Sequence, residues 1–418
     1  MRFKNIFFAA AAAMALTACS SDDVVQAPNT QALQTSQAIG FSPLSKGSTR
    51  SSVINSIGDI TSFKVRGTWA EAVTTTDRIF INGTEVTPAE AHNIGDVYQG
   101  FGTGLEIVQN NGAWNYKNSS ETQYWPFKAS VSGESTITAY NCLELNFNAV
   151  TPVDAITLTS TNSYTHTTPT VADMTDICYA EANNQTNAVG QVKLNFKHIL
   201  SQIVVKAKKA DGYTVDIKKV TIGGVGTTAT TTNLSDIAAN GSNSQILWGD
   251  ASSPSKFDAY GASNAYSVAA SAADEKPVKI TPAGQELLLI PQRIEAWAPD
   301  GGTKATESNK GYIAIEYRAK KSTDAAWATG TANDGYKTVY YPLTAAWYPG
   351  KVYNYTLLFG GVSDPDDDGS DTDNPDPGTG GDNPGGYDES GNPEAPSVPI
   401  TFTATVLDWE SSTVDITF

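Results

Sequence analysis

Side chains able to do chemistry are few in this sequence, and they are scattered. Three histidines, His92, His166 and His198, are spread over 418 residues, with no Gly-x-Ser-x-Gly elbow and no His/Cys cluster at metal spacing. No enzymatic activity and no cofactor are expected. His198 falls on the apolar side of an alternating run, which predicts a packed, hydrogen-bonded core histidine rather than a catalytic one. Gly223-Gly224-Val225-Gly226 leads into threonines and lacks a lysine, so it does not read as a phosphate-cradling loop. Asp364, Asp366, Asp368 and Gly369 reproduce the first half of a calcium loop, in which alternating carboxylates wrap a hard cation. Its twelfth position is Pro375 where a bidentate Glu is required, and a solvated acidic spacer is the competing reading. Cys142 and Cys178 either pair outside the cytoplasm or lie as buried thiols in strand-like runs. Among eight tryptophans, Trp125 and Trp347 offer rings on which a sugar can stack, against the alternative that both are core or sheet-edge residues.

The beginning of the chain is more specific. Arg2 and Lys4 precede an apolar run from Ile6 to Leu16, which ends in Leu16-Thr17-Ala18-Cys19. This is a secretory signal, too short to span a bilayer. It resembles a bacterial lipobox, which implies cleavage before Cys19 and acylation of that sulfur. Ser20-Ser21-Asp22-Asp23 is similar to the acidic tetrad that routes some Gram-negative lipoproteins to the outer face of the outer membrane. A polar stretch then carries one extended island, Gln37 to Pro43, and a small-residue loop ending at Arg50, where a protease can cut.

Positioning these residues falls to strands. Short runs at Val53–Val65, Arg78–Ile81, Thr136–Leu145, Ala155–Leu158, Gln191–Lys208, Thr214–Ile222, Glu286–Ile290, Gly311–Ala319, Thr338–Leu343 and Val352–Phe359 are rich in β-formers. Asn82-Gly83, Asn111-Gly112, Asn240-Gly241 and Pro349-Gly350 mark turns. Hardly any stretch has helical periodicity, so an all-β sandwich architecture is expected. Val192, Leu194, Phe196, His198 and Leu200 share one face, but Ile203, Val205 and Ala207 take the other after Ser201. A strand crossing between two cores, or a bulge, produces that slip. It divides the chain into a first domain at 51–201 and a second at 202–361.

The formal net charge of -17 is concentrated in Val362–Val398, with nine Asp, two Glu and no Lys or Arg. What remains is mildly acidic, with no basic stripe to meet a nucleic acid. Residues 362–398 are expected to be an unstructured linker spanning roughly 35 Å. Beyond it, 399–418 form a strand candidate, with Ile400, Phe402, Ala404 and Val406 on one face and Thr401, Thr403 and Thr405 on the other. Whether that strand completes its own sheet or a neighbour's is the central question the sequence raises.

Together these pieces resemble the fimbrillins, the lipoprotein-derived pilins of Gram-negative gut and oral bacteria. The likeness rests on the lipobox at Cys19, Ile39-Gly40-Phe41 leading to Arg50, Ile60 to Val65, Tyr124-Trp125-Pro126, Leu194 to Leu200, Leu288 to Gln292, Trp347 to Tyr353 and Asp408-Trp409. The resemblance implies two transthyretin-like (Greek-key) β-sandwich domains in tandem. It implies an outer-membrane lipoprotein precursor, with residues 1–18 as signal peptide and 19–50 as a lipidated propeptide. A trypsin-like protease would cut after Arg50 and remove the strand of Ile39 and Phe41. Ile400, Phe402, Ala404 and Val406 would then be donated to another subunit to build an extracellular, adhesive fimbria. A monomeric surface lipoprotein binding glycans through Trp125 or Trp347 is the alternative.

Overall fold

A computed structural model describes residues 35–44, 60–86, 88–133, 135–158, 163–231, 234–236, 247–269, 275–299, 309–327, 329, 334–367, 386–394 and 398–409. Cys19, Arg50, Asp368 and the turn at Asn240-Gly241 lie outside them. Among the described residues the protein is all-β, helix being confined to short turns.

Two large hydrophobic clusters organise the strands. Around the first, a six-stranded sheet runs in the order Lys197–His198, Cys178–Gln185, Leu145–Thr151, Ser62–Trp69, Leu105–Asn110 and Ala113–Tyr116. Thr84–Val86, Ile79–Ile81, Pro126–Ser132 and Thr136–Cys142 form a four-stranded sheet that supplies Ile79 and Phe127 to the same cluster. Both Asn-Gly pairs here close tight hairpins: Asn82 and Gly83 have φ 49 and 73, Asn111 and Gly112 φ 50 and 82. Two successive positive φ values are the geometry that matches the right-handed twist of the flanking strands.

Two five-stranded sheets enclose the second cluster. One runs Tyr164–Thr167, Tyr213–Thr231, Tyr312–Lys321, Lys337–Pro342, with Ser252–Ser267 also on Tyr213–Thr231. The other runs Val278–Lys279, Ser201–Lys209, Lys351–Phe359, Ile400–Asp408, with Leu287–Leu289 also on Ser201–Lys209. Arg293–Ile294 pairs with Ala345–Ala346. Most pairings are antiparallel, but Ser201–Lys209 and Lys351–Phe359 run parallel over eight registered pairs.

Around Ser201 the chain passes between clusters. Val192, Leu194 and Phe196 belong to the first, whereas Ile199, Leu200, Ile203, Val205 and Ala207 belong to the second. A one-residue change of phase turns the strand's apolar face from one core to the other. Sheets do not divide at that point alone, because Tyr164–Thr167 pairs with Tyr213–Thr231, and Ile156, Leu158, Met174 and Ile177 also pack in the second cluster. Ala155–Leu158, expected as a strand, is irregular chain whose two aliphatic side chains are nonetheless buried.

Candidate functional site: the two terminal strands

Ile39 and Phe41 are both 1% exposed, at the edge of the first cluster. Their segment pairs on two sides. Gly40–Leu44 runs parallel to Gln191–Asn195, and Ala38 bridges Tyr124, with Ile39 N–H donating to the Gln123 carbonyl at 2.8 Å and Trp125 N–H to that of Gln37 at 2.9 Å. Alternation then sends Ile39 and Phe41 inward. Phe41 makes edge contacts with Phe63, Phe101, Tyr116 and Phe147 at centroid distances of 6.4, 6.5, 6.2 and 5.3 Å. Gln37 is also held by Asn187 Nδ2 at 2.7 Å. The segment is thus an inserted plug, paired on both sides, with Phe41 seated among aromatic rings.

The C-terminal strand, Ile400–Asp408, completes a sheet of its own chain. It pairs antiparallel with Lys351–Phe359 along its whole length, from Phe359 opposite Ile400 to Lys351 opposite Asp408. Among the described residues it is the last strand in the order of that sheet. Ile400 and Phe402 (each 2% exposed) and Ala404 enter the second cluster, and Val406 packs against it half-buried. Phe402 meets Tyr341 edge-on at 4.6 Å.

The polar side of this strand is not uniformly solvated. Thr403 is buried, and its hydroxyl donates to Asp364 Oδ2 at 3.0 Å. Asp364 Oδ1 also accepts from the Asp366 amide at 3.0 Å, and Asp366 pairs with Lys276 at 2.7 Å. The two described carboxylates of the calcium-like run are thus engaged by protein partners, and Asp364 acts as a clip on the strand. Lys276 holds the Asp366 carboxyl below its usual range by hydrogen bonding and charge.

The acidic stretch departs from a purely unstructured linker at both ends. Residues 363–367 lie on the sheet, with Lys208 Nζ donating to the Ser363 carbonyl at 3.2 Å. Residues 386–394 fold back on the other sheet: Tyr387 exchanges backbone bonds with Tyr340 at 2.9 and 3.0 Å and packs against Trp297, and Glu394 pairs with Lys337 at 3.1 Å. A composition nearly empty of apolar residues conceals that one tyrosine finds an aromatic cluster of Trp297, Tyr312 and Tyr340 outside the main core.

Beyond the strand, Trp409 donates its amide to the Gly350 carbonyl at 2.9 Å and lies flat on the His198 imidazole, centroids 4.0 Å apart and planes at 4°. His198 is buried as expected, with Nδ1 2.9 Å from Asp176 Oδ2 and 3.4 Å from Cys178 Sγ. Sequence patterning did not bring these three together, because the register that sets Cys178 opposite His198 is a tertiary fact. The Asp176-x-Cys178 spacing, which turns both side chains to one side of an extended chain, was the available signal.

The glycan-binding alternative falls, and the open question of the two cysteines closes. Trp125 and Trp347 present no surface for a sugar: they are 1% and 0% exposed, Trp125 packing edge-on to Phe147 and Trp347 donating Nε1–H to the Tyr355 hydroxyl at 2.9 Å. Their large apolar faces fill the two cores. Cys142 and Cys178 form no disulfide. Burial pushes the Cys142 thiol up to about 11.

The fold is that of a fimbrial protein. A crystal structure of a fimbrial protein from Bacteroides vulgatus aligns with a TM-score of 0.50 at 13% identity, over 89% of this chain and 99% of that one. A candidate cell adhesion protein from Bacteroides uniformis is similar over 89% of this chain and 99% of its own, at 12% identity and a TM-score of 0.38. The sequence of residues 66–373 matches the Fimbrillin-like family, and this chain belongs to it. That is a family of fimbrial proteins. No curated protein matches the chain in sequence.

Proposed function

We propose that this protein is a structural subunit of a surface fimbria, exported as a lipoprotein on Cys19, activated by cleavage after Arg50 and polymerised by exchange of its C-terminal strand. In this reading two transthyretin-like sandwiches in tandem, 51–201 and 202–361, form the body of the subunit. A trypsin-like surface protease removes the strand of Ile39 and Phe41. Ile400, Phe402, Ala404 and Val406 of one subunit then enter the slot opened in the next, and the finished fimbria presents an adhesive surface. The partners are other pilin subunits, the protease and, before cleavage, the outer membrane.

One observation carries this reading. The plug and the C-terminal strand present the same pair of anchors in the same order, Ile39-x-Phe41 and Ile400-x-Phe402, all four side chains buried. A strand reads its slot through alternate side chains, so Ile400 and Phe402 fit the places of Ile39 and Phe41 without a change of chain direction. Burying the pair contributes on the order of 3 to 6 kcal/mol. The donor must first leave its own nine-residue ladder. Ile400 and Phe402 are already buried in the second cluster, so backbone bonds and apolar burial are both exchanged, and exchange is favoured to the extent that the aromatic slot cleavage exposes holds the pair better than its own core does.

A reversible staple tests this. Val352 and Leu407 are direct partners across the ladder, and Leu407 is 52% exposed. Opposed Cα atoms in an antiparallel pair lie about 4.5 to 5.5 Å apart, within disulfide range. After trypsin treatment, Val352→Cys/Leu407→Cys is expected to remain monomeric when oxidised and to form oligomer ladders and fibres when reduced. Equal polymerisation in both states, or no cut near Arg50 in the parent protein, defeats the proposal.

A further inference from the structure

We infer that Asp176, Cys178 and His198 form a binding site for a divalent transition-metal ion of zinc type, sealed beneath Trp409. All three side chains are buried, and their ligand atoms lie within 4.8 Å of one another. The site is assembled from two adjacent strands and the extended chain that leads into one of them. Cys178 and His198 are register partners, and Asp176 stands two residues before Cys178, so alternation turns it to the same face.

The separations suit a tetrahedral ion. His198 Nδ1 is 2.9 and 3.2 Å from the two Asp176 oxygens and 3.4 Å from Cys178 Sγ. With zinc bonds of about 2.0 to 2.2 Å to nitrogen and oxygen and about 2.3 Å to sulfur, the edges of a tetrahedron are roughly 3.3 to 3.7 Å. The edges at His198 need to open by only a few tenths of an ångström, and all three ligand atoms already lie within 4.8 Å of one another. Asp176 can supply one oxygen or both, so the ion completes its shell with or without one water.

Charge favours the same ligand. A carboxylate and a thiolate cancel a divalent cation, leaving an electrically neutral buried complex, which removes the main cost of burying an ion. On binding, the Cys178 thiol proton leaves to bulk water, and His198 coordinates through Nδ1 with its ring proton on Nε2. Thiolate and imidazole ligands select zinc-like ions over calcium and magnesium.

The lid gives the site a partner within the chain. Because Trp409 stacks on the His198 ring and follows the C-terminal strand directly, an ion that fixes the ring also favours the docked tail. Coupling of this kind is reciprocal.

Cobalt(II) is the probe, since its thiolate complexes show an intense near-ultraviolet charge-transfer band and tetrahedral sites show strong visible bands. In full-length protein carrying Cys19→Ser and Cys142→Ser, Cys178 is the only thiol. One equivalent of cobalt is expected to raise both bands, and one equivalent of zinc to abolish them. Further replacement of His198 by Gln is expected to weaken cobalt binding at least tenfold, and Trp409→Ala to weaken it by a smaller factor. Absence of a thiolate band from the protein with Cys178 alone overturns the inference, whatever the stability of the other variants. A visible tetrahedral band that survives Cys178→Ser at unchanged intensity places the metal elsewhere and overturns it equally.

Discussion

At the scale of single residues, Phe41 is the side chain whose burial the proposed activation must undo. In the uncleaved protein it sits among four aromatic rings, so Phe41→Ala is expected to cost about 3 to 5 kcal/mol in urea unfolding. After cleavage at Arg50 the same substitution should have no effect on stability, because the residue is gone. His166 makes a second test. It is buried against Trp248, with no partner for Nε2 among the described residues, and desolvation lowers its pKa from 6.5 to about 4. With the folded value below the unfolded one, the unfolded chain takes the proton first. The neutral form's contribution is complete above about pH 6.5 and is lost as pH falls toward 4, amounting to on the order of 3 kcal/mol. Comparing urea midpoints of the parent and His166→Leu between pH 7 and 4 should show a shallower acid loss in the variant. Residue placement was legible where patterning decides it, as for the buried His198. For Trp125 and Trp347 the sequence offered both a core and a surface placement, because a ring beside a strand can face either way until the layers are stacked.

At the scale of elements, the strand of Ile400–Asp408 is held by three kinds of contact: a backbone ladder, apolar side chains, and the Asp364 clip on Thr403. Asp364→Ala is expected to destabilise the strand's docking by about 1 to 3 kcal/mol. The measurement is faster amide hydrogen exchange across residues 400–408 than in the parent. In a double-mutant cycle with Thr403→Val the two effects should be less than additive. Alternation announced this strand in the sequence, and Asn-Gly announced two hairpins. Alternation does not name the edge a strand will join, since any edge offers the same row of amides and carbonyls. Nor did it foresee that Tyr164–Thr167, early in the chain, would join the sheet of the second core.

At the scale of the molecule, plug and C-terminal strand lie on different hydrophobic clusters. Accepting and donating surfaces are therefore unlike, and the contact between proposed subunits is head-to-tail, which gives open filaments rather than closed dimers. A cleaved, oxidised Val352→Cys/Leu407→Cys subunit should accept a strand but give none. Mixed at low fractions with the parent, it is expected to act as a chain terminator, with mean fibre length by electron microscopy falling as its share rises and recovering on reduction. Invariant length would show that growth does not use this strand.

The plug of Ile39 and Phe41 lies between Cys19 and Arg50. In the proposed scheme one cut therefore does two things at once: it severs the tether to the membrane and uncovers the receptive slot. A subunit that escapes the protease stays moored and can give a strand but never receive one. Such a subunit is fit for a single place, the foot of the fibre, so the ratio of cut to uncut chains would set both how many filaments a cell carries and how firmly they are rooted.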